Sequence, residues 1–175
     1  MSAPQQQPAQ DGPFKADEFS EWQTRAKTAL NNQAWNSASP EGSQPWLNSI
    51  WGCITPPSTC LVTCCCPCIT FGKTHHRLRH NGDMAGYSPV NTSCILFFAS
   101  SYVCLNWVMN ALQLQEIREK HNLEGSCTKD LACSFCCLGC SLCQAEKETV
   151  ARAGEKGAVD QQYKAEQMVM PGAQN

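Results

Sequence analysis

Hydrophobic and polar positions divide the chain into two polar ends and an apolar middle. Residues 43–72 and 84–115 contain no Asp, Glu, Lys or Arg, whereas charged residues are frequent on either side of them. In the second stretch, the segment CILFFASSYVCLNWVMNAL predicts one strongly apolar helix over about residues 94–114. As a helix, Cys94–Leu112 would measure about 28 Å, close to the thickness of a bilayer's hydrocarbon core. This helix therefore either spans a membrane or is buried in protein.

A polar stripe interrupts this predicted helix. Four polar side chains recur at helical spacing along one face: Tyr102, Asn106, Asn110 and Gln113. In a membrane, such a stripe packs against neighbouring helices or lines a polar path, whereas in a soluble domain it is the outward side of a core helix. The pattern leaves both alternatives open.

The first apolar stretch does not predict a spanning helix. Pro56, Pro57 and Pro67 interrupt it, and a proline inside a helix removes a hydrogen bond and clashes with the preceding turn. We therefore predict short helical turns and a cysteine-rich loop in this part of the chain.

Three regions follow from these patterns. Residues 1–45 are rich in Gln, Pro, Ser and Asn, which predicts a disordered N-terminal extension. Within it, four apolar residues at helical spacing predict a short amphipathic helix that lies on a membrane or on the domain; they are Phe19, Trp22, Ala26 and either Ala29 or Leu30. Residues 46–150 form a cysteine-rich domain, and residues 151–175 form a disordered tail. The predicted fold is a small, irregular, mainly α domain with little strand.

Fourteen cysteines in 175 residues are the most unusual feature of the composition. The first residues lack a basic region followed by an apolar run, so we expect no secretory signal and mostly reduced thiols. The net charge is -2 and the chain has no long basic run, a pattern that is not typical of nucleic-acid-binding proteins. We therefore expect no nucleic acid partner.

The cysteines form two groups, one on either side of the predicted helix. Several pairs have the C-x2-C separation that lets two thiolates reach one tetrahedral ion. Because this spacing recurs in both groups, we predict that some of these thiols bind zinc. The candidate ligands are Cys60, Cys64, Cys65, Cys66, Cys68, Cys133, Cys136, Cys137, Cys140 and Cys143. Adjacent cysteines allow several ligand sets, so the spacing does not select one.

Other roles for the thiols are open at this point. Free cysteines are often buried as small hydrophobic residues, and cysteines next to an apolar segment are candidates for S-acylation. Cys66 and Cys68 also resemble a redox pair, but the chain has no thioredoxin-like pattern of strands and helices and no clear catalytic motif. We therefore expect that the protein is not an enzyme. His121, near a predicted helix end, is a further candidate metal ligand.

The two cysteine groups resemble a known family. CLVTCCCPCITFGK, from Cys60 to Lys73, is similar to its C-L-x4-C-P-C signature, and REKHNLEGSC with CCLGCSLCQAEKE is similar to its second half. The family comprises cysteine-rich proteins named for a placenta-specific gene, and it includes plant cadmium-resistance proteins and cell-number regulators of the fruit-weight type. The matched signature positions are Cys60, Cys66, Pro67, Cys68, Cys140, Cys143 and Gln144. Pro56 stands where many relatives have an acidic residue, and His121 stands where a tyrosine is common.

This resemblance implies a homo-oligomeric protein at the plasma membrane, and reduced thiols would place its cysteine groups on the cytoplasmic side. It also implies a role in zinc and cadmium homeostasis or in the control of cell number. One hypothesis is that the thiols capture a soft cation, which an oligomer of several chains transports or keeps from the cytosol. The alternative is a zinc-stabilised interaction module that regulates growth or stress signalling.

Overall fold

The computed structural model describes residues 14–32, 38–54 and 57–168. It is mainly helical, which confirms the predicted fold class. In chain order its helices are α1 (Ala16–Asn31), the short 3-10 helix η1 (Ile50–Ile54), α2 (Pro57–Cys65), α3 (Pro67–Arg79), α4 (Thr92–Ser101), α5 (Asn106–His121), α6 (Cys127–Cys136) and α7 (Leu138–Met168). The described residues contain no strand; two isolated β-bridges join Ala38 to Ser126 and Gln44 to Leu123.

Helices α3 and α5 run parallel to each other through the centre of the domain. The side-chain amide of Gln113 donates to the carbonyl oxygen of Phe71 at 3.1 Å, and the ammonium group of Lys120 donates to that of Leu78. Seven residues separate the contact points on each helix, so the two chains advance in the same direction. Their N-terminal ends therefore lie at the same end of the domain.

Helix α7 has the same direction. The hydroxyl of Thr74 donates to Glu146 at 2.8 Å, and the guanidinium of Arg77 lies within hydrogen-bonding distance of Thr149, at 3.4 Å. From the first pair to the second, the chain advances by three residues in α3 and by three residues in α7. The two helices therefore run parallel to each other. The N-terminus of α7 thus joins those of α3 and α5 at one end.

Two apolar clusters form the core. One contains Leu78, Leu114, Ile117, Leu123 and Ala145, and the other contains Trp22, Phe71, Phe97 and Leu142. In the second cluster, the rings of Phe71 and Phe97 stack with their centroids 4.5 Å apart. Since burial of one such side chain contributes roughly 1.5–3 kcal/mol, these clusters hold α1, α4, α5 and α7 against α3.

The predicted single helix over residues 94–114 is wrong. Helix α4 ends at Ser101, a turn follows, and α5 begins at Asn106. The hydroxyls of Ser100 and Ser101 both donate to the carbonyl oxygen of Phe97, and Cys104 has a φ of 54°, which an α-helix does not allow. Among the described residues, no helix combines the length and the hydropathy that crossing a bilayer requires.

The amphipathic segment near the N-terminus forms α1, which packs on the domain. Trp22 is 5% exposed and its ring lies 5.4 Å from that of Phe71. On the neighbouring turn, Arg25 pairs with Glu116 of α5. At the other end of the chain, α7 continues to Met168, past the predicted start of the tail at residue 151. Residues 1–13, 33–37 and 169–175, where we predicted disorder, lie outside the described residues.

The junctions between α2 and α3 and between α6 and α7 have the same construction. In each, a short helix ends at a cysteine pair and the next helix starts at once. The residues Thr63, Cys65, Cys66 and Thr70 occupy the same relative positions as Ser134, Cys136, Cys137 and Ser141. The backbone angles at the break agree closely, with φ -139° and ψ 70° at Cys66 and φ -143° and ψ 79° at Cys137. The two cysteine groups are thus two copies of one helix-break-helix unit.

Glycine is required where α3 crosses the start of α4. A Cβ at Gly72 would lie 2.5 Å from the side-chain oxygen of Asn91 and 3.1 Å from the Cβ of Cys94. Asn91 is the N-cap of α4: its side-chain oxygen accepts from the backbone N–H of Cys94 at 2.8 Å, while its amide donates to the carbonyl of Gly72 at 3.2 Å. The close approach lets one side chain cap α4 and join it to α3.

Candidate functional site

Four cysteine thiols from three elements lie near one another. Cys53 belongs to η1, Cys60 and Cys64 belong to α2, and Cys143 belongs to α7. The Cys60 thiol forms a hydrogen bond with that of Cys64 and interacts electrostatically with those of Cys53 and Cys143. We call these four residues the thiol cluster. Cys64 is exposed, Cys53 and Cys60 are half-buried and Cys143 is buried, so the cluster is open to solvent on one side.

Polar contacts from α7 hold η1 in place beside the cluster. The ammonium group of Lys147 donates to the carbonyl oxygen of Gly52 at 2.9 Å, directly before Cys53. The side-chain amide of Gln144 donates to the carbonyl oxygen of Asn48 at 2.8 Å. Gln144 and Lys147 follow Cys143 on α7 by one and four residues, so the helix that carries one thiol also positions another.

A buried carboxylate anchors the chain that leads into η1. Glu148 is fully buried and accepts hydrogen bonds from the backbone N–H of Leu47, at 3.2 Å, and of Asn48, at 3.0 Å. The guanidinium of Arg152 donates to the same carboxylate at 2.8 Å and compensates its charge. The segment before η1 is therefore fixed to α7 by charge-assisted hydrogen bonds.

Two of the cluster thiols, those of Cys60 and Cys143, hold their protons more tightly than an ordinary cysteine. Partial burial and the hydrogen bond with Cys64 raise the pKa of Cys60 above its ordinary value, and burial likewise raises the pKa of Cys143. A metal binds the thiolate, so a cation that enters the cluster must displace these protons. Cation binding at this place should therefore strengthen as the pH rises.

A second thiol pair lies between α3 and α4. Burial, and then a hydrogen bond with the thiol of Cys68, raise the pKa of Cys94 to about 12. Cys94 is 5% exposed and packs beneath Asn91 and Gly72. Cys94 consequently stays protonated, and the pair packs α4 on α3.

The other candidate ligands are divided among several surroundings. Cys65, Cys66 and Cys136 are exposed at the two helix junctions, and Cys133 is half-buried. Cys137 and Cys140 are joined by a disulfide with their Cα atoms 5.3 Å apart, where we had predicted two reduced thiols. In this state neither of the two offers a thiolate to an ion.

The structure does not present a ready-made zinc site. In residues 14–32, 38–54 and 57–168, no three side chains of His, Cys, Asp or Glu converge as metal ligands. His121, the additional candidate, is half-buried at the last position of α5. A resident zinc ion thus stays a prediction from the cysteine spacing, and we derive no step from it.

The four residues of the predicted polar stripe have separate surroundings. Tyr102 is exposed in the turn after α4, and Asn106 is half-buried at the start of α5. Asn110 and Gln113 are fully buried between helices, and the amide of Asn110 donates to Ser134 at 2.9 Å and to Ser141 at 2.6 Å. Asn110 thus joins the two halves of the α6–α7 junction.

A buried chain of hydrogen bonds links α1 to α3. The indole N–H of Trp22 donates to the hydroxyl of Ser93 at 3.0 Å, and that hydroxyl lies 2.8 Å from Nδ1 of His75. Ser93 of α4 therefore joins Trp22 of α1 to His75 of α3. Burial lowers the pKa of His75 to about 4.

This histidine makes stability depend on pH. Its pKa in the folded chain lies below its value in the unfolded chain, about 6.5, so acidification favours unfolding. We expect the free energy of unfolding to fall by about 3 kcal/mol as the pH drops from 6.5 to 4. Urea unfolding across this range measures the loss, which should be distinctly smaller in His75→Gln. An equal loss in the variant would contradict this origin.

Sequence reasoning missed two members of these thiol groups. C-x2-C spacing considers cysteines within one helical turn, whereas Cys53 and Cys143 meet only because η1 docks on α7. Cys94 was assigned to the apolar helix and not to a thiol pair. A signal was present for Cys53, since it lies in the first cysteine group, but its spacing to Cys60 matches no metal motif.

Comparison with known proteins places these features in a family context. Residues 46–148 match the PLAC8 family model. Cell number regulator 3 from Zea mays is 29% identical over 113 residues, which are 65% of this chain and 66% of that protein. PLANT CADMIUM RESISTANCE 8 from Arabidopsis thaliana is 29% identical over 109 residues, which are 62% of this chain and 55% of that protein. No solved structure matches the chain.

The match to these relatives is partial. The chain spans between about half and two thirds of the length of the two relatives named above. The match to the family model includes all four residues of the thiol cluster, the α2–α3 junction and the α6–α7 junction, because these lie within residues 46–148. Helix α1 lies outside that range. The resemblance predicted from the cysteine signatures is confirmed.

Proposed function

Because the chain belongs to the PLAC8 family, we propose that it binds thiophilic cations such as cadmium or zinc through the thiol cluster, and that it does so at a membrane surface. The name of one relative refers to cadmium resistance, which supports a role in tolerance to such ions. The cation is cargo in this proposal. Capture is the step that the chain's own residues support, and passage across a membrane by a homo-oligomer is a further hypothesis.

The grouping of four thiols from η1, α2 and α7 is the observation that carries the proposal. Sulfur is the ligand that soft cations prefer over carboxylate or water. Cys64 is exposed and hydrogen-bonded to Cys60, so an ion from solvent meets this pair first. Cys53 and Cys143, which interact electrostatically with Cys60, are the further sulfur donors of the cluster. Because no three donors converge beforehand in the part of the chain that the structure describes, rotation of the cysteine side chains must accompany binding.

Cadmium titration tests this proposal. We expect the protein to bind cadmium with a thiolate-to-metal absorption band and to release protons as it does so. Cys60→Ser should weaken binding by about 100-fold, since it removes the thiol that contacts the rest of the cluster and this corresponds to about 2.7 kcal/mol. Cys104→Ser, an exposed cysteine in the α4–α5 turn, is the matched control and should bind as the parent does.

Two results would overturn the proposal. One is the absence of a thiolate-to-metal band at stoichiometric cadmium. The other is equal affinity in Cys60→Ser and in the parent protein, because binding would then take place elsewhere.

A regulatory role is the second candidate, and it is favoured by relatives whose names describe them as cell number regulators. In this alternative, zinc stabilises the fold and the surface recruits partners. The two roles differ in what a chelator does. If the chain only captures a cation, removing the metal leaves the helical circular dichroism spectrum unchanged, whereas a zinc-stabilised module loses its helical signal.

A further inference from the structure

Three helix junctions lie at one end of the domain. Because α3, α5 and α7 are parallel, the breaks that precede them are neighbours: the α2–α3 break at Cys66, the α4–α5 turn and the α6–α7 break at Cys137. Contacts between aromatic rings confirm part of this arrangement. Trp107, in the first turn of α5, packs edge to face on Phe135, in the last turn of α6, with centroids 5.5 Å apart. We call this surface the junction end.

The junction end exposes large apolar side chains. Seven of them lie within about one turn of a junction and are roughly half exposed or more: Leu61, Val62, Phe98, Tyr102, Val103, Leu105 and Phe135. Phe135 is 71% exposed and Tyr102 is 78% exposed. Isolated apolar residues on a surface are ordinary, but seven from three adjacent junctions form a patch that water solvates poorly.

The junction end also lacks charge. Its three junctions lie in residues 43–72, 84–115 and 131–145, and none of these stretches contains Asp, Glu, Lys or Arg. The ion pairs of α3 and α7 lie further along these helices, for example between Arg77 and Glu146. The domain therefore has one apolar end and a charged remainder, the distribution of an element that lies in a membrane interface.

Exposed thiols lie within this apolar surface. Cys65 and Cys66 are exposed at the α2–α3 break, Cys104 is exposed in the α4–α5 turn, and Cys136 is exposed at the end of α6. None of these four belongs to the thiol cluster. Each junction thus presents at least one accessible thiol among apolar side chains and away from charged groups.

We propose that the junction end docks on a lipid bilayer and that Cys65 and Cys66 are S-acylated there. This rests on the membrane part of the proposed function and is independent of cation binding. A lipid surface is the occupant that fits best, because a bilayer accepts an uncharged apolar surface with aromatic side chains at its rim. One acyl chain anchors a protein only marginally, whereas two chains beside an apolar patch hold it firmly.

The modification is a thioester exchange with a long-chain acyl-CoA. The cysteine sulfur attacks the carbonyl carbon of the acyl-CoA thioester, a new sulfur–carbon bond forms and the bond to the CoA sulfur breaks. CoA leaves as the thiolate and takes up the proton that the cysteine gives up. No oxidation or reduction takes place. Because Cys65 and Cys66 are adjacent, both chains enter the bilayer from one point beside Leu61 and Val62.

Acyl exchange on the full chain from eukaryotic cells tests the modification. Hydroxylamine, which cleaves thioesters, should release two labelled sites in the parent protein and none in Cys65→Ser/Cys66→Ser. This double variant should also move from the membrane fraction to the soluble fraction while it binds cadmium as the parent does. Cys60→Ser is the matched control and should keep its acyl groups while it loses cadmium affinity. A parent protein without a hydroxylamine-sensitive group would overturn the assignment.

Vesicle binding by unmodified protein tests the docking surface by itself. Protein from bacteria should bind phosphatidylcholine vesicles, and Val103→Asp should weaken this partition by at least about tenfold, because a charge enters the apolar surface. Val150→Asp, an exposed apolar position on α7 outside the junction end, should bind as the parent does. A different result would show that the lipid assignment is wrong: no binding of any of these proteins to vesicles, together with a parent dimer that Val103→Asp converts to monomers. In that case the junction end joins two copies of the chain.

Discussion

Replacing Glu146 with alanine is expected to lower the free energy of unfolding by about 3–5 kcal/mol, because the change leaves a buried cation without its partner. Glu146 is 4% exposed and binds the guanidinium of Arg77 at 2.6 Å, the hydroxyl of Thr74 at 2.8 Å and the ammonium group of Lys73 at 3.0 Å. Although burial acts to raise it, the hydrogen bond and charge of Arg77 hold the pKa of Glu146 below its ordinary value. The carboxylate is therefore ionised throughout the neutral range.

Urea unfolding of the parent and the variant measures this loss. Glu119→Ala, at an exposed carboxylate on α5, is the control and should change stability by less than about 0.5 kcal/mol. Stability that depends on ionised Glu146 is present above pH 4.5 and is lost as the pH falls through the lower pKa of the folded chain. A loss below about 1 kcal/mol in Glu146→Ala would show that the ion pair does not hold α7 on α3.

Trp22→Ala should release α1 from the rest of the domain. The indole is 5% exposed, packs on Phe71 and donates to Ser93, so its removal costs about 3–5 kcal/mol at this contact. A helix of this length is marginal on its own and should lose its structure once it is free. Residues 46–148 should keep theirs, because the cluster of Leu78, Leu114, Ile117, Leu123 and Ala145 contains no residue of α1.

Hydrogen exchange by residue distinguishes these outcomes. In Trp22→Ala, amides of residues 16–31 should exchange much faster while those of α3 and α5 keep their protection. Phe19→Ala, at a 37% exposed position on the same helix, should have a small effect. Unchanged protection of α1 would contradict the anchoring role of Trp22, and loss of protection throughout the chain would show that α1 is part of one cooperative unit.

Local patterns were sufficient for several elements. The spacing of Phe19 and Trp22 predicts α1, because an isolated helix needs one apolar face. A proline is unfavourable inside a helix but favourable at its first position. Pro67 accordingly ends the preceding helical segment and starts α3. The prediction of a mainly α fold with little strand follows from such features alone.

The break inside the apolar stretch was not predictable from hydropathy. The mean hydropathy of an apolar segment is the same whether the chain continues as a helix or turns. In the structure, the turn is marked by Ser100, Ser101 and Cys104. Serine hydroxyls compete for backbone carbonyls, which is a weak signal in any single sequence. With the turn in place, Tyr102 no longer shares a face with Asn110 and Gln113.

The arrangement of the thiols depends on tertiary contacts, which the separations between cysteines in the sequence do not reveal. Cysteine separations identify pairs within one helical turn, but the thiol cluster requires η1 to dock on α7 through Glu148, Gln144 and Lys147. All three residues lie in the segment CCLGCSLCQAEKE, but that signature does not reveal that they hold η1. The same limit applies to the junction end, whose three charge-free stretches are visible in the sequence while their meeting at one surface is not.

X-ray absorption at the cadmium edge of the protein loaded with one equivalent of cadmium tests the central claim most directly. Binding in the thiol cluster predicts a first shell that is mainly sulfur, about three to four atoms, and that loses sulfur in Cys60→Ser but not in Cys104→Ser. A first shell of oxygen and nitrogen alone, or a sulfur shell that is the same in the parent and in Cys60→Ser, would contradict it.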